Sequence, residues 1–183
     1  LRMNTVCSDV TAGAAMMSEH LISLGYKRLL IISGDDIHAS GKIILDDFKT
    51  TTKKSKGFDD VQTIALNPPK AGESLDFSLI ESFLRPPFRT DVIITTDPGM
   101  VFPVLMALNE QNIRVPKDVA VVSMQDGLGF DLLTTPVTRL RKPVSNMALK
   151  TANILWSEIK NRGKSKYKRQ VNITPELIVR NSC

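Results

Sequence analysis

The clearest indication of the fold is the segment Ile113-Arg-Val-Pro-Lys-Asp-Val-Ala-Val-Val-Ser-Met-Gln-Asp126. It leaves a helical pattern, turns at Pro116 and enters the run 119–122, in which apolar residues do not alternate with polar ones. A run of this kind is typical of a strand that is covered on both faces, as in a parallel sheet. The run ends in a polar cluster that contains Gln125 and Asp126. Since open α/β sheets bind ligands beyond the carboxyl ends of their strands, this cluster is a candidate ligand contact.

Three further apolar runs have the same character, and helical patterns separate them. The predicted strands of the sheet are 28–33, 61–66, 91–95 and 119–122, and the predicted helices around them are 11–24, 40–53, 74–84 and 98–112. Strands that alternate with helices over short connections predict an α/β fold, a parallel sheet with helices on both faces. The remaining predicted elements are a short strand at 5–8, an extended piece at 137–140, a helix at 144–159, and closing strands at 170–173 and 177–179.

The composition is that of a globular domain with one basic segment. The chain has 183 residues, 42% of them hydrophobic and 23% charged, and no window of 18 apolar residues predicts a transmembrane helix. The net charge of +5 comes from residues 160–169, which hold six basic residues and no acidic one. The rest of the chain has 18 basic and 19 acidic residues. A run of this kind is typical of a solvated loop, although it could also contact phosphate. We therefore expect no membrane partner and no sequence-specific DNA binding by this chain itself.

Residues that usually carry catalysis or bind metals form no pattern here. His20 and His38 are the only histidines, and neither has a histidine or cysteine at metal-ligand spacing. A partial phosphate-loop pattern fails because Asp36 stands where such a loop has glycine, and Ile43 where it has the hydroxyl that binds Mg²⁺. We therefore expect no enzymatic activity, no metal and no cofactor.

The two ends of the chain favour a piece of a longer cytoplasmic protein. The chain begins at Leu1, and the residues that follow have no signal-peptide pattern. Its two cysteines, Cys7 and Cys183, are too few for a disulfide framework, which favours a reducing compartment.

Polar residues that follow the predicted strands form the candidate binding site. They lie at strand ends, or in the loop that leads from the strand 28–33 into the next helix. Because the carboxyl ends of parallel strands meet at one edge of the sheet, a polar ligand could contact several of them. The alternative is that these side chains cap the helices that follow, as Ser, Thr, Asn and Asp often do. The candidate ligand-binding residues are Ser40, Lys42, Thr95, Asp97, Gln125 and Asp126.

Several segments, in one order along nearly the whole chain, resemble the LacI/GalR family of transcription regulators. The segment from Ile113 to Asp126 resembles that family's VPxDVxVVGxD segment. The other matching segments are His20-Leu-Ile-Ser-Leu-Gly25-Tyr-Lys-Arg28, Thr95-Thr-Asp97, Leu105-Met-Ala-Leu108, Thr135-Pro-Val-Thr138, Pro143-Val-Ser-Asn-Met147-Ala148 and Leu177-Ile-Val-Arg180-Asn-Ser182. The resemblance implies a periplasmic-binding-protein-like domain of type I that senses a small molecule.

The resemblance also implies a division of the chain between two lobes. Residues 9–137 would form the C-terminal lobe, 138–165 a crossover and a helix of the N-terminal lobe, and 166–183 the return to the C-terminal lobe. The family's DNA-binding headpiece and most of its N-terminal lobe would precede Leu1. The apolar face of the helix 144–159 would then lack its partner, which predicts self-association or a displaced helix.

Two positions depart from the family's pattern. The family has an arginine that binds effector oxygens, and this sequence has Ile44 at that position, with Lys42 two residues earlier. The family also has an aspartate in its GxD motif, and this sequence has Gln125 there, with Asp126 next to it. These departures remove bidentate contacts that are typical of sugar recognition.

The function that the resemblance implies is that of the effector-sensing and dimerising part of a DNA-binding transcription regulator, a repressor. Its effector would be a sugar or sugar phosphate, its protein partner a second copy, and its operator DNA would be bound only through a domain outside this chain. The alternative is a solute-binding protein of a sugar transporter, which has the same fold and no role on DNA.

Overall fold

The computed structural model describes residues 3–34, 39–55, 57–67, 69–70, 73–161 and 169–183. Six of the eight strands in this part of the chain form one sheet, in the order β3-β2-β4-β5-β6-β8. Every neighbouring pair in this sheet is parallel except β6 and β8. The strands are β1 (Thr5–Ser8), β2 (Arg28–Ser33), β3 (Asp60–Ala65), β4 (Val92–Thr95), β5 (Ala120–Ser123), β6 (Thr138–Arg141), β7 (Gln170–Ile173) and β8 (Glu176–Ile178). The predicted α/β fold and the parallel pairing of the four apolar runs are confirmed.

Apolar side chains cover both faces of the central strands, which explains why their sequences do not alternate. Ile31 and Ile94 point into a hydrophobic cluster with the helices α1 (Val10–Ser23) and α2 (Ala39–Ser55). Ile32, Ile93 and their neighbours point the other way, toward α3 (Ser78–Leu84) and α4 (Val101–Glu110). Because strand side chains alternate between faces, a run of isoleucine, leucine and valine fills both layers at once. The helices are α1 (Val10–Ser23), α2 (Ala39–Ser55), α3 (Ser78–Leu84), α4 (Val101–Glu110) and α5 (Val144–Lys160).

Side-chain caps set several of the helix starts. Oδ1 of Asp9 accepts a hydrogen bond from the N–H of Ala12 at 3.0 Å, so Asp9 caps α1, which begins at Val10, one residue before the predicted start. The helix predicted at 74–84 begins only at Ser78, and Oδ1 of Asp76 accepts a hydrogen bond from the Ser78 N–H at 2.9 Å just before it. The helix predicted at 98–112 starts as a 3₁₀ turn, Pro98–Met100, and continues as α4.

A second, smaller unit lies outside the large sheet. Strands β1 and β7 pair in parallel as a two-stranded sheet, with Thr5 opposite Gln170 and Ser8 opposite Ile173. Helix α5 packs against β1. The chain leaves the large sheet after β6, forms α5, adds β7 to the small sheet and returns to the large sheet with β8.

The division into lobes at residue 137 stays a prediction, although the structure shows where the chain changes sheets. Thr138–Arg141 is still part of the large sheet, because it pairs with β5. Gln170–Ile173 belongs to the small sheet and not to the large one. Residues 162–168, the centre of the basic segment, lie outside the described residues. Among the described residues, no helix is long and apolar enough to span a membrane.

Candidate functional site

An open cleft of about 550 Å³ lies at the carboxyl edge of the large sheet, where the chain crosses to α5. Gln125 and Asp126, just beyond β5, form one side of it. The other side consists of the end of β6, the link to α5 and the first turn of α5, with Glu176 of β8 beside them. A concave site lined by a few convergent polar groups is the usual form of a small-molecule site. This cleft is therefore the candidate binding site.

Gln125 connects three segments at this edge. Its Nε2 donates a hydrogen bond to the backbone carbonyl of Thr96 at 2.8 Å, and its Oε1 accepts one from Nζ of Lys142 at 3.1 Å. Its backbone is held as well, because the Ser123 hydroxyl donates to the Gln125 carbonyl at 2.8 Å. The end of β4, the turn after β5 and the link to α5 are thus held together through one amide side chain.

Asp126 belongs to a network of ion pairs around a buried arginine. Oδ1 of Asp126 accepts a hydrogen bond from Nε of Arg139, and Oδ2 accepts one from Nε of Arg141 at 3.0 Å. Arg139, only 2% exposed, also donates through Nη2 to Asp131 at 2.7 Å, and Arg180 donates to the same carboxylate at 2.8 Å. A buried guanidinium needs charged partners of this kind, because leaving it unpaired would cost several kcal/mol, roughly 3 or more.

The network shifts the pKa of Asp126, Asp131 and Arg139. Burial acts to raise the pKa of Asp126, but the hydrogen bonds from Arg139 and Arg141 outweigh it and hold that pKa below its usual value. The hydrogen bonds from Arg139 and Arg180 hold the pKa of Asp131 well below its usual range. Burial acts to lower the pKa of Arg139, but its two aspartate partners raise it overall. All of these groups are therefore charged at neutral pH.

The other predicted site residues lie elsewhere along this edge. The Thr95 side chain is fully buried, and its hydroxyl has no hydrogen-bond partner among the described residues. Asp97 caps the 3₁₀ turn, with Oδ1 accepting from the Gly99 N–H at 2.7 Å. Ser40 and Lys42 belong to the first turn of α2, and their side chains lie outside the described residues. Of the six residues, Gln125 and Asp126 line the cleft, and the structure does not add Thr95 or Asp97 to them.

The sequence reasoning missed Arg141 and Lys142, which supply the cationic side chains of the cleft. A signal for them exists in Thr138-Arg-Leu-Arg-Lys142, a short run of basic residues that ends just before Pro143 and a helix. Residues at the carboxyl end of a parallel strand are candidate ligand contacts, and Arg141 and Lys142 lie at the carboxyl end of β6. Ile44 lies in the hydrophobic cluster with Met124 and Leu140, so an apolar side chain fills the position that departs from the family pattern.

Comparison with known proteins places this architecture in a family. The model of the periplasmic binding protein-like domain matches residues 18–183. The chain therefore belongs to the periplasmic binding protein-like domain family.

The curated relatives are regulators of transcription. The HTH-type transcriptional repressor PurR of Haemophilus influenzae is 24% identical over 177 residues, which cover 93% of this chain and 50% of the repressor. The HTH-type transcriptional regulator DegA of Bacillus subtilis is 23% identical over 100% of this chain and 52% of its own length. The ribose operon repressor of Escherichia coli is 22% identical over 93% of this chain and 51% of its own. The chain thus spans about half the length of these relatives, and its resemblance to LacI/GalR regulators is confirmed.

Solved structures share the fold. A periplasmic binding protein/LacI transcriptional regulator from Alkaliphilus metalliredigens, complexed with D-xylulofuranose, has a TM-score of 0.79 at 18% identity, over 99% of this chain and 66% of that one. A LacI family transcriptional regulator from Enterococcus faecalis, with bound ribose, has a TM-score of 0.77 at 18% identity, over 98% of this chain and 62% of that one.

Proposed function

We propose that this chain is the effector-sensing and dimerising part of a LacI/GalR-type transcription regulator, a repressor that responds to a small metabolite. The observation that carries the proposal is the polar cleft at the carboxyl edge of the sheet, at the point where the chain crosses toward α5. A ligand in this cleft would contact the large sheet and the crossover together, so binding would bias how the two units are arranged. The curated relatives are transcription regulators, which favours this role over that of a solute-binding protein.

The proposed effector site contains Gln125 and Asp126 in the cleft, with Thr95 or Asp97 and Ser40 or Lys42 along the same edge. Ribose and xylulofuranose are bound in two structures that share the fold, which supports a sugar or sugar phosphate as the effector. The proposed role is binding and not catalysis, it needs no cofactor, and a regulator of this kind acts in the cytoplasm, where its DNA is.

Titration of sugars and sugar phosphates into the intact regulator tests the site. Gln125→Ala removes the amide that faces the cleft, and we expect it to weaken effector binding in isothermal titration calorimetry. Gln111→Ala is the matched control, because Gln111 is an exposed residue at the end of α4. Equal affinity of the Gln125→Ala variant and the wild type would remove Gln125 from the site. Failure of every compound to bind would contradict the sensing role.

DNA binding is proposed to lie outside this chain. Specific recognition needs an element that presents side chains to base edges, commonly a helix in the major groove. In a gel-shift assay at physiological salt, we expect residues 1–183 alone to show at most weak, salt-sensitive binding, while the intact regulator selects its operator. Sequence-selective binding by residues 1–183 alone would contradict this assignment.

We propose a homodimer in which a second copy covers the apolar surface formed by α4 and by the residues in and next to a second 3₁₀ turn, Phe130–Leu132. This surface contains Phe102, Met106, Leu128 and Leu132, of which Leu128 and Leu132 are 99% and 89% exposed. Contiguous exposed apolar residues of this kind mark interaction sites. The charged neighbours are already paired, Arg114 with Asp118 and Asp131 with two arginines, so an uncharged, self-complementary partner suits the surface.

Light scattering of the intact regulator tests the dimer. We expect Met106→Glu combined with Leu132→Glu to give a monomer, because the substitutions place charges in the interface. Leu79→Glu is the control, since Leu79 is a half-exposed residue on α3, a different helix. A double variant that remains dimeric would exclude this surface.

A further inference from the structure

We propose that the effector carries an anionic group, a carboxylate or a phosphate, which the cleft binds through Arg141 and Lys142. The inference rests on the proposed function, because it names the class of ligand for the same cleft.

The hydrogen-bond acceptors on the sheet side of the cleft are already engaged. Oε1 of Gln125 accepts from Lys142, and its Nε2 donates to the carbonyl of Thr96. Both carboxylate oxygens of Asp126 accept from arginines, Arg139 and Arg141. A neutral sugar presents hydroxyl groups, which bind best where free carboxylates or amide oxygens can accept their protons. Gln125 and Asp126 therefore have fewer lone pairs left for a sugar hydroxyl than an unpaired amide and an unpaired carboxylate would have.

The donors on the opposite side are only partly used. Arg141 carries five N–H groups and Lys142 carries three. Within the described part of the chain, Arg141 donates from Nε to Asp126 and Lys142 donates to Gln125, which leaves the outer guanidinium nitrogens and two ammonium protons unassigned. The Arg141 side chain is 42% exposed, so its outer nitrogens can reach a ligand. Arg141 and Lys142 have spare donors and the neighbouring Gln125 and Asp126 already accept charge-assisted bonds, so this side of the cleft favours a ligand group that is mainly an acceptor, while Glu176 can accept from another part of the ligand.

The charges favour the same class of ligand. The network joins the guanidinium groups of Arg139, Arg141 and Arg180 to two aspartates, which leaves one positive charge in excess, and Lys142 adds another. Glu176 opposes Arg141 across the β6–β8 pair and is exposed, so it offsets one of these charges, and the network together with Lys142 and Glu176 keeps one positive charge in excess. A carboxylate or phosphate is the group that a pair of basic side chains binds best.

Arg141 can turn to a ligand without leaving a buried charge unpaired. Asp126 would keep its bond to the buried Arg139. The exposed guanidinium of Arg141 would move from the Asp126 carboxylate to the anionic group of the ligand. A neutral ligand that displaced Arg141 would offer no replacement charge, which makes that exchange unfavourable.

The experiment compares neutral and anionic members of matched pairs by calorimetry on the intact regulator. Pentoses and hexoses are titrated beside their phosphates and their aldonates, for example ribose with ribose 5-phosphate and glucose with gluconate. The phosphate and aldonate arms distinguish the two anionic groups. We expect one anionic member to bind about tenfold or more tightly than its neutral partner, as one charge-assisted hydrogen bond contributes. Its affinity should also fall as the salt concentration rises.

Variants of the basic side chains locate the effect. We expect Lys142→Gln and Arg141→Gln each to weaken the anionic ligand about tenfold and to weaken its neutral partner by a smaller factor, while Lys142→Arg keeps most of the affinity. Lys150→Gln is the control, because Lys150 is an exposed residue further along α5. Tighter or equal binding of the neutral members would overturn the anionic ligand and leave the proposed sensing function intact. Failure of every compound to bind would overturn both.

Discussion

The large sheet and the small unit of β1, β7 and α5 differ in how completely their apolar residues are covered. Strands β4 and β5 are buried along their whole length, because helices pack on both faces of the sheet. In α5, by contrast, Ile154 is the only buried residue, while Val144, Leu149, Leu155, Trp156 and Ile159 are 59–67% exposed. The same kind of apolar sequence is therefore fully packed in one region and mostly uncovered in the other.

This difference shows which region of the chain contributes most to its stability. Burial of apolar side chains is the main favourable contribution to folding, and the large sheet obtains it from residues within this chain. Helix α5 obtains little of it here, because one face contacts β1 and the rest meets solvent. We infer that the apolar face of α5 is completed by a part of the protein outside this chain, which agrees with the chain's spanning half of its curated relatives.

The largest expected effect is the loss of a side chain from the covered region. Ile94 lies at the centre of β4 and is fully buried, so Ile94→Ala should lower the free energy of unfolding by about 3 kcal/mol. Urea denaturation followed by circular dichroism measures the change. Ile94→Val, which removes one methylene, should cost about 1 kcal/mol. A loss below the Ile94→Val value for the alanine variant would show that the sheet is less tightly packed than the structure indicates.

A smaller loss of stability is expected at the edge of the large sheet, where the buried side chain is the charged Arg139. Arg139→Met keeps most of the side-chain volume but leaves Asp126 and Asp131 without their shared partner, and should cost about 2 kcal/mol. Arg114→Met is the control, because it breaks an exposed pair with Asp118, and such pairs contribute little. Equal effects of the two substitutions would mean that burial of Arg139 adds nothing.

The same network should give the chain an acid-sensitive stability. The pKa values of Asp126 and Asp131 are lowered in the folded chain, so their contribution is fully present above the unfolded pKa of about 4 and is lost as the pH falls through the lower folded values. Denaturation at a series of pH values should therefore show the wild type losing its advantage over Arg139→Met below about pH 4. A constant difference between pH 6 and pH 3 would contradict the assignment of these pairs.

How much the sequence could predict differs between the same two regions. The central strands were predictable because a run such as 119–122 is apolar without alternation, lies between turn signals and is too short for a typical helix, which is the pattern of a strand between two layers. The position of Thr138–Arg141 was harder to predict, since its place beside β5 depends on a pairing that no local pattern encodes. Nothing in the sequence around Arg139 distinguishes it from an exposed basic residue. Its side chain is nevertheless buried, and it forms ion pairs with Asp126 and Asp131, which are five residues apart.

The candidate site shows the same limit. Gln125 and Asp126 were found because they follow a recognisable strand, but the sequence left open whether such residues cap helices or face a ligand. The structure gives different answers at different positions: Asp97 caps a 3₁₀ turn, whereas Gln125 lines the cleft. Arg141 and Lys142 were missed because their strand was not recognised as a member of the sheet.

The smallest expected effect lies on the uncovered face of α5. Leu155→Ala should change the free energy of unfolding of residues 1–183 by no more than about 0.5 kcal/mol, because Leu155 is 59% exposed. Ile154→Ala is a control on the same helix, since Ile154 is only 6% exposed and should cost about 2 kcal/mol. In the intact protein, a partner that covers the face would make Leu155→Ala destabilising as well. If Leu155→Ala remains neutral in the intact protein, this face is open to solvent there too, and α5 is not completed by the rest of the protein.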